Sequence, residues 1–208
     1  MTDHHPPASP TVLRLTDYTK SDQIEILGDS ADPFGVADVG LTWLPKKEHF
    51  GIRRNGRLVA HAGLLQLPLS IDGVGTQVVG VGGVAVAPDL RGHGLARAVV
   101  SAALDHAREM GPRYGLLFCR PPLVPLYRRL GWRTVEQEVH VEQPEGPVIM
   151  PLRTMWTPLR EDTSWPPGEV RLLSLPMRSP LSPHGPPFSP VGAAHTWRPR
   201  RPGAACSR

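Results

Sequence analysis

The sequence of 208 residues predicts a mixed α/β domain, and three observations carry that prediction. Two tight turns, Asn55-Gly56 and Asp72-Gly73, join three consecutive runs of strand-forming residues into an antiparallel meander. The third run ends in Val84-Ala85-Val86 and leads, across Pro88-Asp89, into one long amphipathic helix. The resulting order, β, α, β-β-β, α, β, α, β, β, lacks the strict alternation of a doubly wound sheet.

Taken along the chain, residues 1–10 read as a flexible lead and Thr11–Leu15 as a first strand. Ser21 is the expected cap of a short helix that runs to Leu27 and stops at Gly28. Residues 29–48 have no clean period, and Pro33, Gly35 and Gly40 make them a loop or a broken helix. Strands are expected at His49–Arg54, Arg57–Leu67 and Thr76–Val86. From Leu95 to Met110, Leu95, Val99, Ala102, Ala103 and His106/Ala107 share one helical face, and Gly111-Pro112 ends the helix. Tyr114–Phe118 is a short apolar strand. Pro122–Leu130 reads as a second short helix closed by Gly131. Trp132–Val141 and Val148–Leu152 are the last expected strands, with Glu169–Leu173 as a further extended piece. The domain therefore occupies residues 11–175.

Composition narrows the function classes. The net charge of +4 invites a nucleic-acid reading, but residues 176–208 hold five arginines and no acid, so the remainder carries 4 − 5 = −1. That segment also holds eight of the 25 prolines, too many for a packed core, and is expected to be disordered. No nucleic-acid partner is expected. Cys119 and Cys206 are far apart in dissimilar contexts, which favours a reducing, cytoplasmic setting over a disulfide framework or a metal site. MTDHHPPASP lacks the basic and apolar regions of a signal peptide, and Val78–Pro88 is too short and glycine-rich to span a bilayer. No membrane partner is expected. The oligomeric state is open, a homodimer included.

The chemistry concentrates in Arg91-Gly92-His93-Gly94-Leu95-Ala96, where the third strand hands over to the helix. Arg91 brings a permanent positive charge. Gly92 and Gly94 let backbone amides approach an anion, and the helix adds its unpaired N-terminal N–H groups and positive dipole end. Together they form a pyrophosphate cradle. A Walker loop is excluded because the chain has no Gly-Lys-Ser/Thr, and a dinucleotide fingerprint fails because its third glycine is Arg97.

This R-x-x-G-x-A after a Val-Ala-Val strand end resembles motif A of the Gcn5-related N-acetyltransferases (GNAT), where it grips the pyrophosphate of acetyl-CoA. Residues 125–135, PLYRRLGWRTV, resemble the same family's motif B. The resemblance spans about residues 49–152. It implies a central, mostly antiparallel twisted sheet flanked by helices, with a strand splayed at the cofactor cleft. It also implies an acyltransferase with acetyl-CoA as co-substrate and a small-molecule amine as acceptor. Val84, Ala85 and Val86 would meet the pantetheine arm and polarise the thioester, residues 91–96 would hold the diphosphate, and Tyr127 would serve the departing thiolate.

A closer similarity is to the aminoglycoside 2′-N-acetyltransferases, on Gly56–Ala62, Val81–Val86, Leu126-Tyr127, Gly131-Trp132 and Trp165-Pro-Pro-Gly168-Glu169-Val170. It points to an amino sugar and puts Glu169 near the substrate. Those enzymes carry a glutamate before the G-V-A-V run, and here that position is Gly82. Asp38, Gly82 and Glu169 are accordingly the expected substrate-side residues, with Asp32, Glu48 and His140 as further acids or bases. His61, inside an apolar strand, reads as a satisfied core histidine. Cys119 has no visible partner, so direct transfer is favoured over a cysteine-bound intermediate. The loss of the glutamate also keeps open a non-catalytic acyl-CoA sensor.

Overall fold

Asn55 and Gly56 both take left-handed dihedrals (φ 51° and 82°), and so do Asp72 and Gly73 (φ 50° and 79°). These two turns close the meander as the sequence predicts. In a computed structural model, which describes residues 10–173, the strands are β1 Leu13–Leu15, β2 Glu48–Arg54, β3 Arg57–Ile71, β4 Val74–Val86, β5 Tyr114–Cys119, β6 Arg133–Thr134, β7 Val139–Gln143, β8 Gly146–Ile149, β9 Arg153–Pro158 and β10 Val170–Leu172. The helices are α1 Lys20–Leu27, α2 Leu95–Glu109 and α3 Val124–Arg129. Nearly all of the expected lead and the whole expected tail lie outside the described residues.

The strands form one sheet in the order β6-β9-β5-β4-β3-β10-β7-β8, with β1 and β2 continuing from β3. Only β4·β5 and β7·β10 pair in parallel. Three sequence expectations change. The single strand expected over Trp132–Val141 is broken: β6 pairs with β9, whereas β7 pairs with β8 and β10 towards the other edge. Residues 135–138 carry no turn signal, so only tertiary pairing sets this break. The strand expected at Val148–Leu152 ends at Ile149, and β9, which fills the space beside β5, was not expected. The α1 cap is Thr19 and not Ser21. Asp22 N–H donates to Thr19 Oγ1 at 3.2 Å, and Thr19 N–H donates to Asp22 Oδ2 at 2.9 Å.

Two features of β4 shape the site. First, β4 pairs with β5 only through Val78, Val79 and Gly80. Beyond Gly80 the strands part, and Leu117–Cys119 bond only to β9. Second, the register with β3 shifts between Gly63↔Gly82 and His61↔Ala85, so Gly83 and Val84 bulge opposite Ala62, with Gly83 at φ 60°.

Side-chain alternation separates the two faces. Phe50 meets His106 of α2, and its neighbour His49 meets Tyr18, just before α1. Adjacent strand residues point to opposite faces, so α2 packs on one face and the Tyr18 side of α1 on the other. Burial is complete beneath both: Leu58, Ala60, Val99 and Ala103 are buried in one cluster, and Leu69, Val78 and Val170 in a second.

Candidate active site

α2 begins at Leu95 with Gly94 as its cap, and no side chain satisfies the first-turn amides. No acid occupies that first turn. Gly92 and Gly94 sit at φ 82° and 76°, conformations that favour glycine, and a Cβ on either would meet nothing within 4 Å. The cradle is therefore open space lined by N–H groups. His93 Nδ1 lies 3.0 Å from Arg91 O and braces the loop. Arg91 is exposed, and no hydrogen bond or ion pair engages its guanidinium among the described residues.

The splayed half of β4 leads directly into this cradle. Ala87 N–H donates to Val59 O at 2.9 Å, towards β3. Strand alternation then turns the N–H and C=O of Val86 and Val84 the other way, into the gap that β5 has left. These are unpaired amides beside a groove, the geometry needed to receive an extended amide-bearing arm and polarise a carbonyl.

On the far side of the gap, α3 follows β5 and buries Tyr127 beside Cys119 in the core cluster. The Tyr127 ring stands edge-on to Trp132 at 6.2 Å. Burial, and secondarily the nearby Cys119 thiol, push the phenol up to about 12, so it stays protonated. Burial also pushes the Cys119 thiol up to about 11, which makes it a poor nucleophile.

The opposite face of the bulge holds a group that the sequence did not single out. Gly63 and Gly82 face each other across β3 and β4, and the side chain of Lys46 lies over the pair. A Cβ on Gly63 would fall 2.7 Å from Lys46 Cγ, and one on Gly82 would fall 2.6 Å from Cε and 3.2 Å from Nζ. An ammonium thus stands over the Gly82 position. Lys46 Nζ donates to Leu44 O at 3.2 Å, and burial holds its pKa below the usual lysine value. Next to it His61 Nδ1 contacts Gly83 O at 2.8 Å, and His61 Nε2 contacts His49 Nδ1 at 3.1 Å. A carbonyl only accepts, so His61 Nδ1 carries the proton and His49 Nδ1 donates to His61 Nε2. Tyr18 stacks on His61 with centroids 3.6 Å apart.

The profile of the Acetyltransferase (GNAT) domain family matches residues 37–135, which include the meander, the cradle, Tyr127 and Trp132. Residues 37–135, just under half of the chain, are similar to a GNAT acetyltransferase domain. Among curated proteins, a mycothiol acetyltransferase from Saccharomonospora viridis is 38% identical over 63 residues. That match covers 29% of this chain and 21% of the relative, so the two share a segment and not a whole protein. Among solved structures, a GNAT family N-acetyltransferase (YhbS) from Escherichia coli, in complex with CoA, aligns at TM-score 0.51 and 18% identity, covering 81% of this chain and 93% of that one. The N-acetylglutamate synthase of Neisseria gonorrhoeae, complexed with coenzyme A and N-acetyl-glutamate, aligns at 0.50 and 13%, covering 72% and 35%. At these identities the likeness is one of fold.

The expected substrate-side residues separate in the structure. Asp38 pairs with Arg120, which directly follows β5, and Arg120 also donates to Gly35 O. This pins the 32–40 loop at the open end of the splay, with the Asp38 carboxylate already partnered. Asp32 accepts from the amides of Val36 (2.8 Å) and Ala37 (3.0 Å), a turn-holding role that keeps its carboxyl below the usual range. Glu48 pairs with Arg14 and belongs to the α2 face with Phe50. Glu169 accepts from Arg171 at 2.8 Å and lies 3.6 Å from His140. β10 joins β3 at Ile71, eight residues along β3 from Gly63, or about 26 Å of strand at about 3.3 Å per residue. Glu169 and His140 are thus not brought to the bulge. Among the described residues no cluster of His, Cys, Asp or Glu has the makings of a metal site, and no helix is long and apolar enough to cross a membrane.

Proposed function

We propose that the chain transfers the acetyl group of acetyl-CoA directly to a primary amine of a small molecule. The observation that carries this is the continuity of the splayed β4 edge with an uncapped, arginine-flanked helix N-terminus. One groove offers amides for an amide-bearing arm at one end and a seat for a diphosphate at the other.

The overall reaction joins R–NH2 and CoA–S–CO–CH3 to give R–NH–CO–CH3 and CoA–SH. The amine nitrogen attacks the carbonyl carbon, the C–S bond breaks, and the proton lost by nitrogen balances the one gained by sulfur. The inward amides of Val84 and Val86 donate to the carbonyl oxygen as negative charge grows there. Tyr127, held protonated near pKa 12, donates a hydrogen bond to the departing thiolate. A phenol that weakly acidic stabilises sulfur better than it surrenders its proton. The residues behind the amino-sugar resemblance, Trp165, Gly168 and Glu169, sit by the β3–β4 hairpin. Gly168 faces Asp72, and Trp165 packs on Tyr114 and Trp156. They support a structural role, which leaves the acceptor a primary amine of open identity.

A second reading, an acyl-CoA sensor without turnover, is favoured by the missing carboxylate at Gly82. Calorimetry with acetyl-CoA, followed by thiol release with an amine panel, separates the two. Transfer predicts binding and amine-dependent thiol. Binding without thiol release from any amine supports the sensor, and no binding removes both readings.

A further inference from the structure

Lys46 is an unusual group to find beside an amine-acetylating centre. Its ammonium is half-buried over Gly82, and its only hydrogen bond among the described residues is to a backbone carbonyl. Burial lowers its pKa, and no hydrogen bond or ion pair joins it to a carboxylate among the described residues. Of the acids whose charge reaches the adjoining histidines, Asp22 is bonded to Thr19 and lies 3.5 Å from Arg53, Glu48 pairs with Arg14 on the other face, and Asp17 acts on His49. The adjoining imidazoles of His49 and His61 are neutral and bonded to each other. A partly desolvated cation without a counterion is costly, and a bound anion relieves that cost.

The geometry also fixes which substrate meets it. Gly63 shares its face of β3 with Leu65, Leu67 and Leu69. These pack in one cluster with Tyr114 and Leu116, and Phe118 continues that face of β5. Val36, Val39 and Leu41 cover the same cluster, and Trp43 rests against Phe118 at 6.3 Å. The acyl-carrier cradle lies at the N-terminus of α2, so Lys46, over Gly63 and Gly82, stands on the opposite face of the sheet, the face to which Trp43 and Phe118 also belong.

We infer that the acceptor is an amine bearing a carboxylate beside its nitrogen, and that Lys46 holds that carboxylate. This rests on the acetyltransferase reading above. It also argues against polycationic acceptors, which would place like charge against Lys46.

The test compares amino acids with their amides, for example phenylalanine with phenylalaninamide, in wild type and in Lys46→Met, which keeps the apolar stem. The amide's amine is the more easily deprotonated, so the informative quantity is the ratio of wild-type to variant kcat/KM for each acceptor. For amino acids we expect that ratio to exceed the amide's by at least about tenfold, with Lys46→Arg retaining part of the preference and acetyl-CoA affinity unchanged in both variants. Equal ratios, or acetylation confined to amines without a carboxylate, overturn the inference while leaving acetyl transfer intact. Absent acetyl-CoA binding overturns the underlying reading instead. If Lys46→Met does not fold, wild type alone decides. N-acetylphenylalanine should compete with the acceptor at least about tenfold better than N-acetylphenylalaninamide, and equal inhibition counts against the inference.

Discussion

His61 on β3 reaches across to the bulge of β4 and donates to the carbonyl of Gly83 at 2.8 Å. That bond fixes the one place where β4 changes the direction of its amides, immediately before Val84. A buried imidazole (1% exposed) thus serves as a strut for the polarising strand.

Replacing His61 with Leu leaves the Gly83 carbonyl without its donor. We expect a stability loss of about 1–3 kcal/mol and a fall in kcat larger than the change in KM for acetyl-CoA. His61→Asn, whose amide can donate from a similar position, should recover most of the kcat. Thermal melts and steady-state kinetics on the two variants check this, and equal kcat in Leu and Asn variants would remove the positioning role.

The same histidine sets a pH response. Burial pushes its pKa down from 6.5 to about 4, so between these values the unfolded chain binds a proton that the folded chain refuses. Stability is therefore full above pH 6.5 and drains away as pH falls towards 4, by up to about 3 kcal/mol. His49, also lowered mainly by burial, acts in the same direction. Denaturant titrations from pH 7.5 to 4.5 should show this slope, and His61→Asn should flatten it.

Arg91→Glu puts a negative charge at the mouth of α2, where the dipole and the free amides await an anion. Calorimetry should show acetyl-CoA affinity reduced at least about tenfold, or about 1.4 kcal/mol, with the melting temperature little changed because Arg91 is exposed. Unaltered affinity would disprove the cradle.

Tyr127→Phe keeps the ring against Trp132 and removes only the hydroxyl. Thiol release should slow by roughly 100-fold while acetyl-CoA binding stays within about twofold. Unchanged turnover would take Tyr127 out of the reaction.

Much of this was legible in the chain. Asn55-Gly56 and Asp72-Gly73 specify hairpins through local dihedral preference, and the Arg91–Ala96 loop is contiguous, so its chemistry reads without a structure. What escaped depends on distant pairing. β6 and β7 separate because β9 and β10 claim them from opposite parts of the sheet. Lys46 sits in a segment without period, 36 residues before the glycine it covers. A trace of it existed: Gly63 is the one glycine of β3 and Gly82 one of four in β4, and a glycine inside a strand marks a close approach. Which residue approaches was not written there. The place of Glu169 was hidden for the complementary reason, since a local motif match carries no information about where β10 docks.

The partition of the sheet into an α2 side and a Lys46 side has a kinetic consequence. In the proposed reaction, donor and amine reach the reacting carbon from opposite faces of the sheet, so neither has to leave for the other to arrive. Excess amine should not compete with the thioester for its groove, and initial-rate plots should intersect in the manner of a ternary complex.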